Sequence, residues 1–152
     1  MNHFQFALNG LFLGGLYACI AAGFSLVWGV LHIINMLHGA LIVLGAYVAF
    51  YGHEWFGIHP FVSMLAAGLI VGAFGYLVQT GLINRVVTKP VLVTLTLTFG
   101  LDLILINAML LAFSADFRTV VLEHPLGTAS FGGVFIPLDR MVAMLLALAM
   151  IG

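Results

Sequence analysis

The chain alternates long apolar stretches with short clusters of turn-forming residues. Four stretches, 7–30, 36–51, 61–83 and 91–113, contain only one Asp, Glu, Lys or Arg between them, Asp102. About 18 or more apolar residues in succession suffice to cross the ~30 Å hydrocarbon core of a bilayer as a helix. A helix that is apolar on every side has no face to offer water. The pattern therefore predicts an all-α, polytopic transmembrane bundle. Helix 1 is expected over 7–30, helix 3 over 61–83 and helix 4 over 91–113. Helix 2, over 36–51, is short for a crossing unless it begins near His32. A fifth helix begins near Leu138, and its apolar run from Met141 to Ile151 reaches only about 16 Å at 1.5 Å per residue. The expectation is four full spans and a partial fifth, in one truncated domain over 1–152.

Breakers mark the joints. They are Gly57 to Pro60, Asn84 to Pro90, and then Pro125, Gly127, Gly132, Gly133 and Pro137. The residue before a proline is pushed out of the helical region, which places a boundary at Lys89-Pro90. Thr94, Thr96 and Thr98 alternate as a strand would, but their long apolar setting favours a helix. In the connection SADFRTVVLEHPLGTASFGGVFIP (114–137), TVVL and GGVFI read as two short strands of a hairpin. A connection this long is either a surface cover or a docking surface for an external partner.

Basic residues set the orientation. Arg85 and Lys89 lie in the short joint between helices 3 and 4, which places that joint in the cytoplasm. Alternation then puts the 31–36 turn inside, and the N-terminus, the 52–60 joint and the 114–137 connection outside.

Composition narrows the function classes. The chain is 64% hydrophobic and 6% charged, with a formal net charge of −1. A typical globular domain is about 25% charged. No basic patch is present to hold nucleic acid. Cys19 is the lone cysteine and cannot pair within the chain. The N-terminal MNHFQF lacks the basic region of a cleaved signal, so the first segment reads as a retained span. No GxxxxGK[ST] loop occurs, so nucleotide binding would fall to other subunits.

Candidate chemistry lies in two places. Asp102 sits midway along helix 4, where an acid costs at least ~2.5 kcal/mol on insertion scales. Thr94 and Thr98 precede it by eight and four residues, and at 100° per residue the three fall within about 80° of one another. That polar stripe should face the bundle interior, either as a pathway or coupling site or as a hydrogen bond between helices. The second place is GVLHIINMLHG, which joins helices 1 and 2 and sets Asn35, His38 and Gly39 at membrane depth. Non-helical backbone there is tolerated only where it is buried in protein or lines a cavity. Broken helices of this kind often direct their ends at a substrate's charge, though a plain structural turn is the alternative.

Other patterns lead elsewhere. Gly10 and Gly14, and Gly68 and Gly72, form GxxxG pairs that suit close helix packing. HEWFGIH (53–59) lacks a zinc helix pattern, because HExxH needs histidine where Gly57 stands. His3, His32, His38 and His124 show no ligand spacing. An intramembrane enzyme would need Asp102 to meet His32 or His38, yet the acid is mid-helix and the histidines lie near an end. No catalytic centre, metal site or bound cofactor is expected. A channel or assembly protein is the remaining non-transporting reading.

The opening NGLFLGGLYACIAAGFSLVWGVLHIINMLHGALIVLGAYVAF resembles that of permeases in the branched-chain amino acid ABC importers, the H-type subunit. The likeness is carried by Asn9-Gly10, Gly14, Tyr17-Ala18, Gly23, Gly29, Ile34-Asn35, His38-Gly39 and Gly45-Ala46-Tyr47. KPVLVTLTLTFGLDLIL and FGGVFIPLDR extend the resemblance along the chain. It implies a multi-pass subunit of the bacterial inner membrane that works with a second, homologous permease subunit. Two cytoplasmic ATPases would bind the ATP, and a periplasmic binding protein would deliver leucine, isoleucine or valine. Importers of urea and short amides resemble the same permeases and form the alternative. Members of the family are about twice this long, so the chain corresponds to an N-terminal half. Asp102 is no part of the resemblance, so the resemblance implies no role for it.

Overall fold

The computed structural model describes residues 2–114, 128–131 and 134–151. The strand-like TVVL and the charges of the 114–137 connection lie outside the described residues. The elements are α1 (Asn2–Leu31), α2 (Leu37–Phe56), α3 (Pro60–Gly81), a 3-10 turn (Ile83–Arg85), α4 (Val91–Phe113), β1 (Thr128–Phe131), β2 (Val134–Pro137) and α5 (Leu138–Ile151). Among the described residues the protein is thus helical apart from one small hairpin. β2 falls on the expected GGVFI. Its antiparallel partner is TASF, with Thr128 opposite Pro137 and Phe131 opposite Val134. Two glycines separate the strands in sequence, and short Gly-Gly links are favoured between hairpin strands.

Among the described residues three helices are long and apolar enough to cross a membrane: Gln5–Leu31, Pro60–Arg85 and Val91–Phe113. α2 has 20 residues, but its last turns carry Gly52, His53 and Glu54, which dilute the apolar run. α5 has 14 residues. In all three long helices few residues are buried against protein, and side chains such as Leu69, Leu92 and Leu111 are bare. Water would not tolerate such surfaces, whereas lipid tails cover them at no cost.

The chain forms two compact units, Met1–Leu26 with Leu122–Gly152, and Val27–Val121. In the first, Phe12 and Ala147 are buried. Gly15 lets α5 approach α1 closely: a Cβ there would stand 2.5 Å from Met144 Cγ. The other unit contains the last turn of α1 and all of α2, α3 and α4. Within it α2 packs against both α3 and α4. Its core is Leu37, Ala40 and Met109, flanked by Leu41, Leu44, Tyr47, Leu105 and Phe113.

α2 stops at Gly57, whose φ of 61° is left-handed and whose N–H donates to His53 O at 2.9 Å. His53 Nδ1 lies 2.8 Å from Ile58 O. A carbonyl only accepts, so Nδ1 carries the proton and the ring ties the turn. This histidine closes a helix end. No atom lies within 4 Å of a Cβ added at Gly57, so Gly57→Ala meets only the backbone penalty. That substitution should cost about 1 kcal/mol, the low end of the left-handed penalty for an L-residue. SDS titration of the full-length protein in mixed micelles would read the shift.

Candidate functional site

α1 ends at His32, whose N–H reaches back to Trp28 O at 2.9 Å and whose φ is 54°. Histidine is among the few non-glycine residues enriched in this conformation. The next four residues are non-helical, and their backbone groups are held by side chains. Thr98 Oγ1 donates toward Ile34 O at 3.1 Å, sharing its proton with Leu95 O, also at 3.1 Å. The same oxygen accepts from Met36 N–H at 3.3 Å. Asn35 Oδ1 accepts from Leu37 N–H at 3.1 Å, an Asx turn that leads the chain into α2. Ile33 seals the segment, at 2% exposure.

The depth of this break follows from α4. A helix of 23 residues is about 34 Å long, and Thr98 lies seven residues past Val91, about 10 Å along it. The backbone between α1 and α2 is therefore sunk roughly a third of the way along a full-length span. A second pairing fixes the direction of α2. Tyr47 stacks on Phe113 with ring centroids 4.6 Å apart, and Tyr51 lies 5.1 Å from the same ring. From Met36 to Tyr51, and from Thr98 to Phe113, is 15 residues in each case. α2 and α4 thus run parallel, in step, with α2 starting two turns later.

The polar stripe of α4 turns inward as expected for Thr94 and Thr98, both at 0% exposure. Their roles differ. Thr94 Oγ1 bonds Val91 O of its own helix at 2.8 Å, so its hydroxyl is spent locally. Thr98 alone reaches another segment. Asp102 is half-buried and lines a cleft of about 370 Å³ between α2 and α4. Met36, Gly39, Ala40, Val43 and Tyr47 form one wall, and Ile106, Met109 and Leu110 form the other. Of the expected residues, Asn35 and Thr98 each bond the backbone of the break, and Gly39 and Asp102 line the cleft beside it. His38 is half-buried in the first turn of α2 and is not part of the cleft lining.

A larger cleft of about 420 Å³ lies between α2 and α3, closed by Phe113. Val48, Tyr51, Trp55, Phe56, Ala66 and Ile70 make its wall almost entirely apolar. Sequence reasoning missed both clefts. The one signal available was Tyr47, Tyr51 and Trp55 at four-residue intervals, which marks one face of α2.

These features define a multi-pass helical membrane protein with a buried break between its first two helices. The profile of the family described as "Branched-chain amino acid transport system / permease component" matches residues 6–151. The chain belongs to that family, which consists of transport permease components and not of enzymes, and it is a multi-pass protein of the inner membrane. It is 28% identical to the high-affinity branched-chain amino acid transport system permease protein BraD of Pseudomonas aeruginosa, over 89% of this chain and 48% of BraD. It is 32% identical to the permease protein LivH of the corresponding system in Salmonella typhimurium, over 68% of this chain and 36% of LivH. A probable LivH of Methanocaldococcus jannaschii is 30% identical over 66% of this chain and 32% of that protein. The chain thus spans about half or less of the length of the relatives it matches. No solved structure matches it.

Proposed function

We propose that this chain supplies the membrane helices of an ATP-driven importer that carries branched-chain amino acids into the cytoplasm. The observation that carries this reading is the family match along residues 6–151, with relatives named as branched-chain amino acid permeases. α2 would be the fourth full span beside the three long helices, and α5 a partial fifth. Arg85 and Lys89 face the cytoplasm in this arrangement, and the break lies toward that side. A second, homologous permease subunit would cover part of the bare apolar surface. Two cytoplasmic ATPases would bind ATP, and a periplasmic binding protein would deliver the amino acid. The substrate is a zwitterion with an aliphatic tail. Apolar walls with few polar groups pass such a molecule without trapping it.

The test is uptake of labelled leucine by vesicles holding the full-length protein and these partners. Uptake should require ATP and the binding protein, and isoleucine and valine should compete. Uptake without ATP would overturn the proposal. Transport of urea or acetamide, with leucine excluded, would move the chain to the amide importers.

A further inference from the structure

We propose that the cleft between α2 and α4 is a station for a primary ammonium group borne on a branched aliphatic chain, with Asp102 as its counter-ion. The proposal rests on the importer reading above and adds to it a residue and the chemical group that residue meets. Asp102 is the one Asp, Glu, Lys or Arg in the four apolar runs. It lies eleven residues into α4, about 16 Å along, at the middle of the span. Acids at that depth face protein or a wet cavity, and they mark pathways by default. Here the carboxylate borders a cavity of about 370 Å³. Water occupies about 30 Å³ per molecule in the liquid, so there is room for roughly a dozen waters or a small solute.

Among the described residues no Lys or Arg lines this cleft, and none pairs with Asp102. Thr98, one turn away, is already committed to the backbone of the break. Apart from Tyr47 with its hydroxyl, the rest of the lining is apolar, including Val43 on α2, and Ile106, Met109 and Leu110 on α4. Such a site suits a solute with one positive charge next to a branched tail. It repels an anion, and for a neutral amide the carboxylate is largely wasted. A bare metal cation suits it badly, because hard cations want about six oxygen ligands, and the side chains here offer only the carboxylate and the Tyr47 hydroxyl. An ammonium needs one close carboxylate, and water can take its other protons. Gly39 leaves the α2 side open: no atom lies within 4 Å of a Cβ built there.

Two measurements on the full-length protein assembled with its partners test this. The first places a cysteine at Ile106, one turn beyond Asp102 on the same wall, in a background with its other cysteines replaced. A cationic methanethiosulfonate should label Ile106→Cys about tenfold or more faster than an anionic one, a ratio corresponding to ~1.4 kcal/mol. Adding Asp102→Asn should abolish that preference, and leucine-loaded binding protein with ATP should slow the labelling. The second measurement is ATP-driven leucine uptake. Asp102→Asn should reduce it about tenfold, while Asp102→Glu should retain most of it. Equal labelling by both reagents, or no labelling, would overturn the proposal, as would normal uptake by Asp102→Asn. An Asp102→Asn variant that fails to assemble while Asp102→Glu and Ile106→Cys assemble, with no charge preference in labelling, would show a helix-pairing acid instead. Failure of the wild-type complex to import leucine would overturn the importer reading, and the labelling ratio would still report the charge in the cleft.

Discussion

Thr98→Val should destabilise the full-length protein by about 2 kcal/mol and loosen the break between α1 and α2. The substitution keeps the shape of the side chain and removes its hydroxyl. Ile34 O then loses its donor and Met36 N–H its acceptor, around a hydroxyl whose residue is fully buried. A hydrogen bond between membrane helices averages only ~0.6 kcal/mol, whereas stranding a buried polar group costs about 1–3 kcal/mol. With two groups stranded at once, the second effect governs. Thr98→Ser keeps the bonds and loses only the packing of one methyl group, so it should cost less, under about 1 kcal/mol. SDS titration in mixed micelles would measure the loss, and amide exchange at Ile33 to Leu37 would locate it. Thr94→Val is the internal control: its hydroxyl bonds only Val91 O, so no second segment is released. Equal costs at the two positions would refute the claim that Thr98 pins the break.

Leu37→Ala should have an effect of similar size, about 1–3 kcal/mol, which is what remains of the usual ~2–5 kcal/mol for emptying a leucine site once the transfer from water, about 2 kcal/mol, is taken out. Leu37 is the first residue of α2 and is 2% exposed, packed with Ala40 and Met109. The same change at Leu111 should do almost nothing, within about 0.5 kcal/mol. Leu111 is 89% exposed, and lipid touches it whether or not α4 is packed. Transfer from water contributes to neither value, because both helices stay in the membrane. The difference is therefore a measure of packing alone. Similar costs at Leu37 and Leu111, in the same micelle titration, would mean that Leu37 is not a core residue.

Much of this arrangement was legible along the chain. α4 occupies Val91–Phe113 as expected, since Pro90 opens it and its apolar run ends just before Ser114. α1 runs further than its apolar core, because nothing in NHFQF breaks a helix. α2 also runs on, past residue 51 through His53 and Glu54 to Gly57, where a left-handed residue stops it. The inward turn of Thr94 and Thr98 followed from their four-residue spacing in an otherwise apolar helix. In the hairpin, VFIP pairs with TASF, which has weaker strand character than the TVVL that lies outside the described residues.

Hydrophobic spacing along the chain decides which segments are helices and that their solvent is lipid, because burying backbone hydrogen bonds in hydrocarbon permits little else. It also puts the polar atoms of α4 on one side. It leaves open which apolar face meets a neighbour, since leucine against lipid and leucine against leucine are nearly equivalent. Only the tertiary structure brings Met36 to Thr98 and Tyr51 to Phe113, so that α2 starts two turns inside α4 and a cleft opens beside Asp102. That register is selected by shape and by a few hydrogen bonds between segments over sixty residues apart, which local periodicity cannot record.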